Sequence, residues 1–318
     1  MASSSSEIVV DLSPSIRVYK DGTVDRMFSS PYVPPSAEDP STGVSSKDIS
    51  VSSQVSARIY IPKVTDPNQK LPILVYFHCG GFCLESAFSS INHRYMNLLV
   101  SEAKVLAISV EYRLAPEHPL PAAYEDCWEV LKWVASHVLE KSDMDKEPWL
   151  INHGNFDKLH IGGDSAGGNI VHHMAMKAGD QILPGEVKIL GGFLSFPYFW
   201  GSRFESTEAN QRSLEYRFWE LVYPSAPGGI DNPMINPVAD DAPSLSSIGC
   251  SRFCICVAEK DELREPTFLY VEALKKSSWT GEVELVDVEG EGHCFQLFNP
   301  DSEEARNLIK LLASFINA

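Results

Sequence analysis

Short apolar runs alternate along the chain with longer segments in which apolar residues recur every three to four positions. Runs that are apolar at consecutive positions are typical of parallel strands covered on both faces. Six such runs are present, at residues 73–77, 105–110, 159–162, 189–196, 253–258 and 283–288. Helical periodicity marks three intervening segments, through Ile91, Tyr95, Leu98 and Leu99, then Ala123, Cys127, Val130, Leu131 and Val134, and last Ala305, Leu308, Ile309, Leu312 and Phe315. The pattern predicts an α/β fold with a mostly parallel central sheet flanked by helices.

Two regions depart from this alternation. Residues 1–45 are rich in serine and proline and predict an arm lying over the body, with a hairpin where residues 17–20 and 23–26 flank Asp21 and Gly22. Residues 198–230 form an insertion rich in aromatic residues, proline and glycine. We expect one domain, residues 1–318, in which arm and insertion form a lid over a pocket. The alternative for the insertion is a surface helix with a long loop.

Composition narrows the possible partners. The 318 residues carry 26 basic and 43 acidic side chains, a formal charge of −17. Nucleic acids and anionic membranes would repel such a chain. The start lacks the basic and apolar segments of a secretory signal, and the longest apolar runs are too short to cross a bilayer. We therefore expect a cytoplasmic protein, a monomer or weak dimer.

The seven cysteines predict reduced thiols and not a disulfide framework. His78, Cys79 and Cys83 are an alternative metal-ligand set. Structural zinc requires four ligands at recognised spacings, however, and no such pattern is present. We expect no metal.

The clearest chemical signal follows the predicted strand 159–162, where the chain reads Gly163-Asp164-Ser165-Ala166-Gly167 before a helical pattern. This is the G-x-S-x-G arrangement in its strand–turn–helix context. A nucleophile at so sharp a turn needs glycines on either side, because strand and helix pack closely there. We predict that Ser165 is a nucleophile; the alternative is an ordinary tight turn.

A glycine-containing loop, His78-Cys79-Gly80-Gly81-Phe82, follows the strand 73–77. Acyl transfer requires N–H donors aimed at an oxyanion, and glycine lets the backbone approach it. We assign those donors to the backbones of Gly80, Gly81 and Ala166. The alternative is a plain strand-to-loop glycine pair.

The base and the acid follow from the order nucleophile, acid, histidine that such a fold imposes. Eight of the nine histidines lie at or before His173, which leaves His293, in a loop after the strand 283–288. After the strand 253–258, Glu259, Asp261 and Glu262 compete to be the acid. We favour Asp261 because it lies deepest in the strand-to-helix loop.

Two further polar groups of residues are interpreted as structural. His172 and His173 lie on the helix behind the nucleophile. Residues 111–118 follow a strand and are rich in polar side chains, which is typical of a buried, hydrogen-bonded loop. Neither group is assigned a part in the reaction.

In these motifs the chain resembles the plant carboxylesterases of the hormone-sensitive-lipase-like group of α/β hydrolases. The resemblance rests on residues 79–82, 112–119 (YRLAPEHP) and 163–169 (GDSAGGN), and on Asp261 and His293. It extends over nearly the whole chain. The branch most similar contains 2-hydroxyisoflavanone dehydratase and the alkaloid cyclases, through residues 56–60, 84–88, 122–128 and 226–237. The resemblance implies an α/β-hydrolase fold and a cytosolic, cofactor-free enzyme of small-molecule specialised metabolism.

The chain departs from that group at two positions. Cys79 replaces the first glycine of the HGGG loop, which leaves the two donating glycines in place and can narrow the pocket. Dehydratases of the branch often carry threonine as nucleophile, and its cyclases lack the histidine, whereas this chain has Ser165 and His293.

The complete set favours a serine carboxylesterase acting on a small-molecule ester. The alternative is a dehydratase, eliminating lyase or cyclase that uses the same pocket. A non-catalytic hormone receptor is the least favoured hypothesis.

Overall fold

One eight-stranded sheet organises the chain. The computed structural model describes residues 7–140, 146–206 and 212–318; residues 1–6 of the predicted arm and 207–211 of the predicted insertion lie outside the described residues. The strands are β1 (Ile8–Leu12), β2 (Ile16–Tyr19), β3 (Val24–Arg26), β4 (Ser45–Ser50), β5 (Ser56–Ile61), β6 (Leu71–Phe77), β7 (Leu106–Glu111), β8 (Gly154–Asp164), β9 (Ile189–Ser195), β10 (Arg252–Ala258) and β11 (Glu282–Val288). The helices are α1 (Ser90–Ala103), α2 (Ala122–Ser136), α3 (Pro148–His153), α4 (Ala166–Asp180), α5 (Leu214–Val222), α6 (Arg264–Lys276), α7 (Phe295–Phe298) and α8 (Glu303–Asn317).

The large sheet runs in the order β11-β10-β9-β8-β6-β7-β5-β4. Strands β6 to β11 are mutually parallel, and β5 and β4 add antiparallel pairs at one end. Consecutive residues of β6 belong to two different cores: Ile73 and Val75 to the one that includes residues of α2, α4 and α6, and Leu74 and Tyr76 to the one that includes residues of α1 and α8. Burial on both faces explains why these strands are apolar at consecutive positions. The predicted sheet and its flanking helices are confirmed.

The six predicted strands correspond to β6–β11, but β4 and β5 were not predicted. Strand β5 contains Arg58, whose side chain is 1% exposed and is paired with Asp48 of β4 at 2.6 Å. This charged residue interrupts the apolar run. Its neighbour β4 is a polar edge strand. A buried arginine in β5 and a polar sequence in β4 therefore kept both strands from showing an apolar run.

The arm contributes a small sheet, β1-β2-β3, with antiparallel pairing throughout. The Asp21-Gly22 hairpin joins β2 to β3; Gly22 has a φ of 85°, and the Tyr19 amide bonds the Thr23 carbonyl at 2.9 Å. In the insertion, α5 begins at its cap Ser213, whose hydroxyl accepts from the Tyr216 amide. The aromatic side chains of Phe199, Trp200 and Trp219 are buried and anchor the insertion to the body.

Two further expectations concern the state of the cysteines and the length of the apolar segments. All seven cysteines belong to the described residues and are buried free thiols. Within residues 7–140, 146–206 and 212–318, no helix is both long enough and apolar enough to cross a membrane.

Candidate active site

Ser165 occupies a strained turn between β8 and α4. Its φ of 55° and ψ of −116° lie where residues with side chains are rarely found. A Cβ on Gly163 would lie 2.4 Å from the carbonyl carbon of Gly167, and one on Gly167 would lie 1.9 Å from the Phe77 carbonyl oxygen. Only glycine fits at either position. This close packing of strand, helix and neighbouring strand presents the hydroxyl at the carboxyl edge of the sheet.

The imidazole of His293 reaches that hydroxyl. His293 lies in the loop between β11 and α7, and its Nε2 is 2.9 Å from Ser165 Oγ. The edge of its ring packs against Phe196 at a centroid distance of 6.2 Å. Two residues nearly 130 positions apart in sequence thus meet because their parallel strands end at the same edge of the sheet.

Asp261 holds the other side of the imidazole. Its Oδ2 is 2.7 Å from His293 Nδ1, and its Oδ1 accepts from the Leu263 amide at 3.0 Å. Since a carboxylate only accepts, Nδ1 carries the proton and Nε2 is left to accept from Ser165. Among the competing carboxylates, Glu259 instead accepts from the Gly290 amide at 2.7 Å, and Glu262 is exposed.

The loops that carry Asp261 and His293 are fastened to each other. The amide of Glu259 donates to the Val288 carbonyl at 3.0 Å and that of Lys260 to the Glu291 carbonyl at 2.9 Å. Lys260 Nζ donates to the Gly290 carbonyl at 2.6 Å. The acid and the imidazole are therefore positioned as one unit.

Three backbone amides lie beside Ser165: those of Gly80 and Gly81, which line the same cavity, and that of Ala166, which follows the serine in the chain. Gly80 and Gly81 have positive φ angles of 111° and 57°, and Ala166 is the first residue of α4. Among the described residues, none of these three N–H groups donates a hydrogen bond to a protein acceptor. A Cβ at Gly80 would lie 2.2 Å from the Leu84 carbonyl oxygen. The loop can therefore turn its amides toward the cavity only with glycine at this position.

His78 supports this loop from below. It is fully buried, its ring stacks on Tyr112 at a centroid distance of 4.1 Å, and its Nδ1 contacts the Cys79 carbonyl at 2.7 Å. Burial lowers the pKa of His78 to about 4, so the ring is neutral at physiological pH. Its contacts make it a structural residue of the loop.

Sequence reasoning missed a buried cluster behind the nucleophile. Asp164 accepts from the Tyr76 hydroxyl and, at 2.8 Å, from Gln296 Nε2. Gln296 lies three residues beyond His293, so this bond links the serine and histidine segments directly. Burial raises the pKa of Asp164 to about 7. The single signal in the sequence was the charged residue between Gly163 and Ser165.

The residues interpreted as structural have internal partners. His172 Nδ1 contacts the Tyr270 hydroxyl at 2.9 Å and His173 Nε2 the Met234 carbonyl at 3.0 Å. Glu111 accepts from the Ser86 hydroxyl and the Ala87 amide, and burial raises its pKa to about 7. None of these side chains lines the cavity beside Ser165.

A cavity of about 350 Å³ opens above Ser165 and His293. Cys79, Gly80 and Gly81 form one wall. The arm supplies Ser15 and Phe28 to its lining, and α5 supplies Leu214, Glu215 and Phe218. The rings of Phe28 and Phe298 contact each other at 5.7 Å across the rim. Arm and insertion therefore both contribute to the roof.

These elements define the class of protein. A family model described as the α/β-hydrolase fold matches residues 74–297, and the chain belongs to this family. The match spans the loop of Gly80 and Gly81, the turn at Ser165 and the loop of His293.

Particular relatives are similar over almost their whole length. The 2-hydroxyisoflavanone dehydratase of Glycyrrhiza echinata is 52% identical over 99% of this chain and 100% of its own. The tabersonine synthase of Catharanthus roseus is 54% identical over 98% and 99%. Among solved structures, an esterase of Pyrobaculum calidifontis is 29% identical, with a TM-score of 0.67 over 85% of this chain and 84% of its own. The resemblance predicted from the sequence is confirmed.

Proposed function

We propose that this protein is a serine carboxylesterase that hydrolyses a small-molecule ester of specialised metabolism in the cytoplasm. The observation that carries the proposal is the continuous series Ser165, His293 and Asp261, joined at 2.9 Å and 2.7 Å. Beside it are three amides that have no acceptor in the described part of the chain. Each part of an acyl-transfer site is represented: nucleophile, base, acid and oxyanion donors.

The reaction proceeds in two halves. Ser165 Oγ attacks the ester carbonyl while His293 Nε2 takes its proton, and the new oxyanion is bound by the amides of Gly80, Gly81 and Ala166. The alcohol leaves with the proton from His293, and an acyl-enzyme remains. Water, deprotonated by His293, then releases the acid. Asp261 stabilises the imidazolium in both halves, and no metal or cofactor is needed.

A second candidate is elimination, favoured by the 52% identity to a dehydratase. In this reaction His293 removes a proton α to a carbonyl, the same three amides stabilise the enolate, and a hydroxyl or acyloxy group departs. No bond forms to Ser165. Both reactions would use the same base and the same amides, so they are separated by their products.

The test compares wild type with Ser165→Ala on p-nitrophenyl butyrate and on a panel of metabolite esters, read by mass spectrometry. Hydrolysis by Ser165 predicts a loss of kcat of at least about 10⁴-fold in the variant. Ser314→Ala on the exposed face of α8 is the matched control and should keep full activity.

Running the panel in H₂¹⁸O separates the two chemistries. An acyl-enzyme released by water yields a carboxylic acid with one ¹⁸O, whereas elimination of an acyloxy group releases an acid without it. Unlabelled acid together with full activity in Ser165→Ala would replace the esterase proposal by the eliminating one.

A further inference from the structure

Arg26, the last residue of β3 in the arm, reaches into the body beside the oxyanion loop. Its Nε donates to the Cys83 carbonyl at 2.7 Å, and its Nη2 donates to the Ala115 carbonyl at 3.0 Å. The same guanidinium pairs with the Glu117 carboxylate through Nη1 at 2.9 Å and Nη2 at 2.6 Å. One arm side chain thus joins two loops that the chain otherwise places more than 30 residues apart.

The first of these loops carries the oxyanion amides. The carbonyl of Gly80 accepts from the amides of Cys83 at 3.0 Å and Leu84 at 2.8 Å, which closes a tight turn. Any shift of Cys83 is therefore transmitted to Gly80 and Gly81. Arg26 binds the Cys83 carbonyl, and neither of these two residues lines the cavity beside Ser165.

The second loop is the polar segment 111–118, which the proposed mechanism does not otherwise use. Its Tyr112 hydroxyl donates to the His78 carbonyl at 2.9 Å, and its Ala115 amide donates to the Phe82 carbonyl at 2.9 Å. This segment therefore supports the oxyanion loop at two points. Arg26 binds the Ala115 carbonyl as well as the Cys83 carbonyl, so it links the segment 111–118 to the oxyanion loop.

From these contacts, the geometry points to Arg26 as a positioning residue that sets the orientation of the Gly80 and Gly81 amides in the oxyanion hole. The inference rests on the proposed function. It makes the docked arm a requirement for catalysis and not only a cover over the cavity.

Charge and burial are consistent with this role. The Arg26 side chain is 22% exposed, and its pairing lowers the pKa of Glu117. A guanidinium bound to two carbonyls and a carboxylate makes charge-assisted bonds in a fixed planar geometry. Elsewhere on the arm, the amide and hydroxyl of Ser30 donate to Glu85 of the body, both at 2.9 Å, and this fastens the segment that follows β3. The arm thus remains attached near Glu85 when Arg26 is replaced.

The experiment compares Arg26→Ala, Arg26→Lys and Glu117→Gln with wild type. The matched control is Arg17→Ala, which removes a partly exposed arginine of β2 whose ion-pair partner, among the residues that the structure describes, is Asp11 of the arm. Two rates are measured: p-nitrophenyl butyrate turnover, and labelling of Ser165 by a fluorophosphonate. In the labelling, Ser165 Oγ bonds phosphorus, His293 takes the proton and fluoride departs, with the phosphoryl oxygen at the oxyanion amides.

We expect Arg26→Ala to lower kcat and the labelling rate in parallel by about 10- to 100-fold, with KM within about threefold, as for a displaced catalytic geometry. Added guanidinium chloride at low millimolar concentration should restore part of both rates, and Arg26→Lys should fall between. Glu117→Gln retains both carbonyl bonds and should lose less than about fivefold. Thermal unfolding is followed for every variant.

The inference is overturned if Arg26→Ala behaves like Arg17→Ala, or if KM rises while kcat and labelling stay at wild-type values. If Arg26→Ala does not fold, Arg26→Lys decides the question by the same parallel between turnover and labelling. A wild-type chain that neither hydrolyses esters nor labels at Ser165 would contradict the proposed function itself, which is a different result.

Discussion

The floor and the roof of the cavity are built in different ways. The floor consists of strand ends and the turn at Ser165, where buried groups are held by backbone bonds and by glycine contacts. The roof consists of the arm and α5, and its residues Phe28 and Leu214 are about half exposed, as is Phe298 of α7 at the rim. A packed floor fixes the reacting groups, whereas a lightly packed roof can change without loss of the fold. We infer that reaction type depends on the floor and substrate choice on the roof.

The similarities to known proteins fit this division. Proteins as different in name as a dehydratase, a synthase and an esterase share the family's fold with this chain. Three predictions test the division, from the floor to the roof.

The largest effect is expected from Asp261→Asn. The variant keeps the shape of the acid but favours the wrong tautomer of His293, because an amide can donate to Nδ1. We expect kcat for p-nitrophenyl butyrate to fall by about 10⁴-fold with little change in KM. Glu259→Gln, which can still accept from the Gly290 amide, should stay within about threefold of wild type. Equal losses in the two variants would show that the wrong carboxylate had been assigned.

A smaller effect on stability is expected at Asp164. In the unfolded chain this carboxyl ionises near its ordinary pKa of 3.8, whereas burial keeps it neutral in the fold up to about pH 7. Between about pH 4 and pH 7 the carboxyl is ionised in the unfolded state only, and this ionisation stabilises the unfolded state. The free energy of unfolding therefore falls as pH rises through this range. Above pH 7 this contribution is constant. The loss is on the order of 4 kcal/mol.

Asp164→Asn removes this ionisation, so its unfolding free energy should lack that decline. Gln296 Oε1, buried without a partner among the described residues, could accept from the new amide. Urea unfolding of wild type and variant at pH 4.5, 6 and 8 measures the difference, with the exposed Asp157→Asn as control. Parallel pH profiles for wild type and Asp164→Asn would mean that the buried carboxyl is ionised throughout.

The smallest effect is expected on the roof, from Phe218→Ala. This ring lies over the oxyanion loop, 3.5 Å from where a Cβ on Gly81 would be, and lines the cavity. Loss of the ring should raise KM for a hexanoate ester by about tenfold, the factor expected when that much apolar contact with the substrate is lost. The kcat for the acetate ester should be nearly unchanged. Tyr216→Ala, on another face of α5, is the control. A large fall in kcat for both esters would show that Phe218 affects the positions of the reacting groups and not only substrate binding.

The floor could be predicted from the sequence because its signals are local. Strand, glycine, serine and helix follow one another at Ser165, and the fold's chain order then singles out His293. The roof could not be predicted in detail, because Arg26 binds Cys83 and Ser30 binds Glu85, more than 50 positions away. The bond between Asp164 and Gln296, 132 positions apart, was hidden for the same reason.

Position 79 has a consequence for how such a cavity can be reshaped. Gly80 cannot carry a side chain without striking the Leu84 carbonyl, but Cys79 lies immediately before it, outside the residues with positive φ. Cys79 is part of the cavity wall, and its side chain is buried in the core shared with α1 and α8. The amide donors next to it belong to the backbone and do not depend on which side chain stands there. A different side chain at residue 79 is therefore expected to change the shape of the cavity wall one residue before Gly80, while the backbone donors remain in place.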